Sequence, residues 1–237
     1  MSENAGNVTQ TQQKKIILSG TALKIIAMVT MFLDHTAVIL LSQEKQPWLY
    51  LLFRFAGRFS FVIFASFIVV GFLHTKNVRN YILRVGVVAL LTEVPFDLAL
   101  SHTYIEFGKQ NVLFTFCIAL IMLAAIKNYG DSTLSFIGFG FLACLAAIFL
   151  NCDYSYIGIL MVLFYYFDRH DKTGRVFSLC LLNFASGDLL QGIGGSLAVG
   201  LTESYDDSKP LLPQWLCYVF YPAHLLLLWG VSLLPFF

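Results

Sequence analysis

Polar side chains inside the apolar stretches of the sequence are the residues whose types could do chemistry. A charged side chain at the centre of a membrane helix costs about 2.5–3.5 kcal/mol on the insertion scale, so each one requires a partner or a function. Carboxylates and imidazoles transfer protons, while guanidinium and amide groups stabilise negative charge. The residues of this kind are Asp34, His35, Arg54, Arg58, Glu93, Asp97, Asn111, Asp153, Asp188 and His224.

Two pairs of these residues are spaced one helical turn apart. Arg54 and Arg58 share one helix face, as do Glu93 and Asp97, and Pro95 between the two carboxylates loosens the helical hydrogen bonding. Two guanidinium groups and two or three carboxylates can therefore neutralise each other. The alternative interpretation of each charged residue, taken singly, is that it only ties helices together.

The histidines have a similar alternative, because a histidine between helices often does no more than bond a neighbour. His35 and His224 occur together with Asp34, and this combination favours chemistry. Adjacent residues on a helix point about 100° apart, so a direct bond between the side chains of Asp34 and His35 is not guaranteed.

Basic residues form a second pattern. Lys24 and His35 are eleven residues apart, so on a helix they share one face, about 16 Å apart along the axis. A cation and an imidazole at that separation would suit an elongated ligand with an anionic head. Lys76 and Arg79 also lie one turn apart, in a loop. Without other evidence the positive-inside rule is the favoured explanation of these basic residues, and the spacing alone does not establish a phosphate site.

The composition identifies the elements that must position these residues. The chain has 237 residues, of which 58% are apolar and 12% charged, with a mean hydropathy of +0.74. Soluble domains carry about 25% charged residues, so this chain is predicted to be an integral membrane protein. A net charge of +1 argues against nucleic-acid binding, and five scattered cysteines without metal-ligand spacing indicate neither a disulfide scaffold nor a metal site.

Continuous rather than alternating apolar runs predict an all-α, polytopic bundle of about eight transmembrane helices. The sixth run is short for a full crossing. Residues 1–20 are predicted to be a polar cytoplasmic tail, and residues 21–237 a single transmembrane domain in a bacterial cytoplasmic membrane. The predicted spans are 22–41, 51–73, 81–100, 111–127, 133–150, 154–167, 175–198 and 214–235.

The distribution of Lys and Arg predicts the orientation. With the N-terminus inside, ten of these residues fall on the inner side and five on the outer side, which favours cytoplasmic positions for both termini. The acidic loop at Glu203, Asp206 and Asp207 would then face outward. Every polar residue named at the start falls in the outer half of its span, so the sequence predicts one polar cavity that opens outward.

Several strings in the sequence resemble the TraX family, in order from about residue 22 to residue 229. They are "LKIIAMVTMFLDH" from Leu23, "GRFSFVIFASF" from Gly57, "TEVPFDLAL" from Thr92, "QNVLFT" from Gln110, "DYSYIGIL" from Asp153 and "YPAHL" from Tyr221. The family's namesake acetylates the N-terminal amine of a conjugative pilin. More distantly, Lys24 with His35, and Lys76 with Arg79, are similar to the signature residues of the acyltransferase-3 relatives.

The resemblance implies a membrane acyltransferase that uses cytosolic acetyl-CoA and no metal. It implies donor binding by Lys24, Lys76 and Arg79, and an extracytoplasmic acceptor that is a peptide N-terminus, a glycan or a lipid head group. His35, whose unperturbed pKa near 6.5 suits proton transfer, would be the general base. The acetyl group could pass directly from coenzyme A to the acceptor or through an acetyl-histidine intermediate, and the sequence does not decide between these two routes. The imidazolium would be oriented by Asp34, Glu93 or Asp97, and the oxyanion would be stabilised by Arg54, Arg58 or Asn111. Asp153 would bind the substrate. His224 would transfer a second proton or shape the acceptor pocket.

The alternative function is a small proton-coupled transporter or flippase, because buried acidic residues and histidines also form proton relays. A transporter usually has internal repeats and polar groups on both sides, and the sequence shows neither. A non-catalytic assembly subunit is a third interpretation, in which the histidines would be dispensable.

Overall fold

The computed structural model describes residues 18–205 and 211–234, and its regular elements in those residues are α-helices. The prediction of an all-α membrane bundle is confirmed. The first 17 residues of the predicted polar tail lie outside the described part of the chain. The helices are α1 Gly20–Leu40, α2 Pro47–His74, α3 Val78–Ser101, α4 Val112–Tyr129, α5 Thr133–Phe149, α6 Ser155–Phe167, α7 Lys172–Ala185, α8 Leu189–Thr202 and α9 Gln214–Ser232.

Four of the described helices, α1, α2, α4 and α9, are long and apolar enough to cross a membrane. Helices α5, α6 and α8 are apolar but shorter. Side chains at the helix starts satisfy the first free backbone N–H groups: Asn77 accepts a hydrogen bond from Asn80 N at 3.0 Å, and Ser132 accepts one from Ser135 N at 3.2 Å. Helix α2 lies at the centre and packs against α1, α4, α6 and α8.

The predicted seventh span, 175–198, is wrong, because the structure divides it into α7 and α8. Gly187 adopts a left-handed backbone conformation with φ 76°, which ends the first helix. Asp188 then caps the second helix by accepting a hydrogen bond from Leu190 N at 2.9 Å. The two helices pack against each other as an antiparallel hairpin, and we call residues 186–188 the hairpin tip.

The start of α7 and the end of α8 form the end of the hairpin opposite its tip, and their contacts show at which face of the bundle this end lies. Glu203, just after α8, accepts hydrogen bonds from Arg175 Nε at 2.6 Å and Nη2 at 2.8 Å, near the start of α7. Leu18, just before α1, donates a backbone hydrogen bond to Ser204 O at 2.8 Å. The hairpin therefore enters the bundle and comes back to the face at which α1 begins.

Helix α9 starts at this same face. Lys24 Nζ donates a hydrogen bond to Leu212 O at 3.2 Å, and Leu211 N donates one to Thr21 Oγ1 at 2.7 Å. Helix α9 therefore runs parallel to α1 and ends at the opposite face. The expectation that both ends lie on one side is wrong for the described ends of the chain, because the hairpin removes one crossing.

We call the face with the start of α1 the inner face and the opposite one the outer face. Glu203 lies at the inner face, so its predicted outward position is wrong, while Asp206 and Asp207 lie outside the described residues. Basic residues in or beside the described inner connections are Lys76, Arg79, Lys127, Arg169, Lys172 and Arg175, and in the outer connections Lys45 and Lys109. This asymmetry favours the inner face as the cytoplasmic one.

Candidate functional site

A cavity of about 620 Å³ occupies the outer half of the bundle, between α1, α2, α3, α6 and the hairpin tip. Six of the residues selected from the sequence line its wall: Asp34, His35, Arg54, Arg58, Asp153 and Asp188. The predicted polar cavity is therefore present, and it collects residues from four separate parts of the chain.

Ion pairs form much of the wall of this outer cavity. Asp34 accepts hydrogen bonds from Arg54 Nη1 at 2.8 Å through both carboxylate oxygens. Arg58 Nη2 lies 3.0 Å from Asp188 Oδ2 at the hairpin tip. The Nε of Arg58 is buried and has no hydrogen-bond partner among the described residues. Arg58 lines the cavity, but this Nε is not exposed to it.

The third pair joins Lys109 Nζ to Asp153 Oδ1 at 3.3 Å and is more exposed. With it, each of the three cationic side chains on the wall faces one carboxylate. The charges in the cavity wall are thus balanced, and the site is polar without a strong net charge.

Two histidines from opposite ends of the sequence meet at the edge of this cavity. His35 Nδ1 lies 2.7 Å from His224 Nε2, so the two rings meet edge to edge, with their centroids 4.9 Å apart and their planes at 27°. His224 Nδ1 lies 2.8 Å from Phe220 O, one turn earlier in α9. His35 lines the cavity, whereas His224 is 3% exposed and lies behind His35. Asp34, engaged by Arg54, is not bonded to His35.

Three other residues selected from the sequence lie at the connection between α3 and α4 and do not line the cavity. Asn111 donates hydrogen bonds from Nδ2 to Glu93 Oε2 and to Ala89 O, the latter at 2.9 Å, and its Oδ1 caps α4. Asp97 accepts a hydrogen bond from Glu106 N at 2.7 Å. Both amide protons of Asn111 are therefore engaged, and in this geometry Glu93, Asp97 and Asn111 fasten the connection.

A second cavity, of about 400 Å³, occupies the inner half of the bundle. Lys24 and His74 line it together with four tyrosines, Tyr81, Tyr205, Tyr218 and Tyr221. Lys24 is 8% exposed, and its ammonium lies 5.9 Å from the centre of the Phe67 ring. Lys76 and Arg79 do not line this cavity; both are exposed, shortly after His74 in the chain.

The two cavities meet at a narrow set of apolar and aromatic side chains. Each residue of this set lines both cavities, and we call the set the neck: Met31, Phe64, Val112, Phe116 and Tyr221. Lys24 lies in the inner cavity and His35 in the outer one, about 16 Å apart along α1. The bundle therefore contains two adjoining cavities, with a lysine in the inner one and a histidine in the outer one.

Sequence reasoning missed several residues of this site. Tyr221 belongs to the neck and lies one turn before His224, so its spacing from that histidine was a usable signal. Tyr154, Lys109 and Gln191 also line the outer cavity, and nothing in their local sequence distinguishes them from ordinary interfacial residues. Cys152 lies near the site, but burial raises the pKa of its thiol to about 11, so it is protonated at neutral pH and a poor nucleophile.

Comparisons with known proteins give the family. The TraX protein family matches residues 19–232. The chain is also similar to a protein of Dichelobacter nodosus named "Probable fimbrial assembly protein FimC, serogroup H1", with 34% identity over 119 residues. That match covers 46% of this chain and 47% of the relative, so the chain spans about half the length of the curated relative it matches. No solved structure matches. The more distant resemblance to the acyltransferase-3 relatives stays a prediction. The match to nearly the whole described chain confirms the resemblance read from the sequence, and the protein belongs to the TraX family.

Proposed function

We propose that this protein is a membrane acyltransferase that moves an acetyl group from cytosolic acetyl-CoA to an amine or hydroxyl on the outer side. The observation that carries the proposal is the pair of cavities that meet at the neck, with Lys24 in one and His35 in the other. A charged nucleotide cannot cross the bilayer, but a slender arm attached to it can extend through a protein.

The dimensions support acetyl-CoA as the donor. About thirteen covalent bonds separate the inner phosphate of coenzyme A from its sulfur, which corresponds to roughly 15 Å when extended like a peptide chain. The separation of Lys24 and His35 along α1 is about 16 Å. The phosphates would lie near Lys24, Lys76 and Arg79, and the arm would follow the inner cavity to the neck.

The outer cavity supports the transfer chemistry. His35 would take the proton from the acceptor nitrogen or oxygen as this atom attacks the thioester carbonyl. Arg58, whose guanidinium group lies in the cavity wall beside Asp188, would stabilise the oxyanion of the tetrahedral intermediate. Collapse of the intermediate breaks the carbon–sulfur bond, and the imidazolium of His35 returns its proton to the departing thiolate. Asp153 and the Asp34–Arg54 pair would contact the acceptor.

The acceptor class follows from the relative and from the position of the cavity. The curated relative is named as a fimbrial assembly protein, so the N-terminal amine of an extracytoplasmic fibre subunit is the first acceptor to test. A glycan or a lipid head group would also reach a cavity in the outer half of the membrane. A balanced, polar wall accommodates each of these acceptors.

The first experiment measures binding of radiolabelled acetyl-CoA to the detergent-purified protein and release of free coenzyme A. We expect saturable binding, with slow hydrolysis that is lost in His35→Ala and retained in a control variant, His170→Ala, at an exposed inner loop. Lys24→Ala and Arg79→Ala should weaken apparent affinity for acetyl-CoA. Absence of binding in the native protein contradicts the proposal. Uptake driven by a proton gradient in vesicles would instead favour the transporter.

A further inference from the structure

The contact between His35 and His224 fixes more than the positions of the two rings. Each neutral imidazole has one nitrogen that carries a proton and one that has a lone pair, and the hydrogen bond made by one nitrogen determines the state of the other. Four atoms make two contacts of 2.7–2.8 Å here: Phe220 O with His224 Nδ1, and His224 Nε2 with His35 Nδ1.

The backbone carbonyl sets the direction of this chain. Phe220 O can only accept, so His224 Nδ1 must carry a proton and donate it. In neutral His224 the other nitrogen, Nε2, then has the lone pair and accepts. His35 Nδ1 must therefore be the donor, and in neutral His35 the lone pair lies on Nε2. No described residue makes a hydrogen bond to His35 Nε2, and His35 lines the outer cavity.

We propose that His224 is a positioning residue, which holds the proton of neutral His35 on Nδ1 and leaves Nε2 as the basic atom in the outer cavity. This inference deepens the proposed function, since it names the atom of His35 that receives the acceptor's proton. The anchor is a backbone carbonyl rather than a carboxylate, because Asp34 is engaged by Arg54. When Nε2 takes the proton, the bond from His35 Nδ1–H to His224 becomes charge-assisted and stronger.

The surroundings of His224 agree with a positioning role. It is 3% exposed, and its ring packs against Phe32, Phe220 and Tyr221, so it cannot reach a ligand in the cavity. The stack on Phe220 is nearly parallel, at 9° with centroids 4.7 Å apart. These contacts hold the ring in the orientation that both of its hydrogen bonds require.

The decisive test is nitrogen NMR of the protein labelled with ¹⁵N-histidine, since the nitrogen shifts distinguish the two neutral tautomers. The sequence has five histidines, and the spectrum of His35→Gln identifies the signals of His35. We expect a protonated Nδ1 and an unprotonated Nε2. A protonated Nε2 in the neutral ring of native His35 would overturn the inference, whatever the activity of the protein.

Substitutions at His224 extend the test. His224→Phe keeps an aromatic ring but removes the acceptor, so we expect the population of the Nδ1–H form of His35 to decrease. In the His224→Gln variant, the amide oxygen can accept from His35 Nδ1, so this form should be retained. Acetyl transfer should fall about tenfold in kcat for His224→Phe, with unchanged KM for acetyl-CoA, and recover in His224→Gln.

The outcomes separate the two proposals. If the native protein transfers no acetyl group but His35 has the Nδ1–H form, the proposed function fails and the positioning role stands. If transfer occurs but His224→Phe and His224→Gln lose activity equally, or neither loses any, the positioning role is wrong. Should His224→Phe not fold, the native spectrum and His224→Gln still decide the question.

Discussion

The salt bridge between Asp34 and Arg54 gives the sharpest stability prediction. Asp34 accepts two hydrogen bonds of 2.8 Å from Arg54, and the two side chains are only 15% and 22% exposed. Gly57 packs directly against the Asp34 carboxylate, so that any side chain at position 57 would displace it. Replacing Asp34 by Asn leaves the guanidinium group largely buried without a counter-charge.

Breaking a buried pair from one side costs 3–5 kcal/mol in typical proteins. The outer cavity admits some water to this pair, so we expect a loss of about 3 kcal/mol for Asp34→Asn. For a chain of this length, that loss lowers the melting temperature by roughly 6–12 °C. Arg54→Gln should cost a similar amount, because it leaves the carboxylate unpaired. The double variant should lose about 2 kcal/mol less than the sum of the single losses.

The assay is the apparent melting temperature in detergent, read by size-exclusion chromatography after heating at one fixed rate, because unfolding of a membrane protein is commonly irreversible. Asp153→Asn is the matched control: it breaks a single contact of 3.3 Å to Lys109, which is 57% exposed. Exposed pairs contribute about 0–1 kcal/mol, so this variant should shift the temperature by less than about 4 °C. Equal shifts for Asp34→Asn and Asp153→Asn, or strict additivity in the double variant, would refute the reasoning.

Three further predictions concern topology, donor binding and the hairpin. Alkaline phosphatase fused after residue 234 should be active, because this site lies at the outer face. The same enzyme inserted in the loop 129–133, at the inner face, should be inactive. The reverse pattern would show that the two faces are assigned wrongly. Acetyl-CoA at ten times its Kd should slow alkylation of Cys217, which lines the inner cavity, about tenfold, while Cys180, which lines neither cavity, should react at an unchanged rate. Equal rates at Cys217 with and without acetyl-CoA would contradict donor binding there. Glu203→Ala removes the 8%-exposed carboxylate that pairs with Lys172 and Arg175 near the start of α7. This substitution should lower the apparent melting temperature by several degrees. An unchanged temperature would mean that these ion pairs do not stabilise the hairpin.

The depth of the polar residues could be predicted from the sequence. Hydropathy locates the ends of each apolar stretch, and a helix rises 1.5 Å per residue, so a residue's position in its stretch gives its depth. Asp34, Arg54 and Asp153 were expected at one level, and the structure places all three on the outer cavity. The same arithmetic applied along α1 placed Lys24 and His35 on one face.

The lateral partners of these residues could not be predicted, because hydropathy does not give the order or the rotation of helices around a bundle. Glu93, Asp97 and Asn111 have the expected depth, yet they bond to one another and to their connection rather than to the cavity. His35 meets a residue 189 positions away, and Arg58 meets one 130 positions away. Contacts of such separation depend on the whole arrangement of the helices.

The division of residues 175–198 is a different kind of miss, because a local signal was present. Ser186, Gly187 and Asp188 combine a helix-ending glycine with an aspartate suited to begin the next helix. The length of the apolar run outweighed that signal, since it matches one membrane crossing. The small residues of α8 permit close packing: Gly194 lies against the backbone and ring of Phe55 and against Arg58 Cβ in α2.

This hairpin determines how the rest of the site is assembled. If residues 175–198 crossed the membrane, α9 would begin at the outer face and run antiparallel to α1. Its first turn would then lie far from Lys24, and Leu212, Cys217 and Tyr218 could not line the inner cavity. Because α8 ends at the inner face, α9 starts beside Lys24 and runs parallel to α1. His224 therefore lies at the same depth as His35. One glycine with positive φ and one helix-capping aspartate thereby set the register between the two helices that carry the histidines.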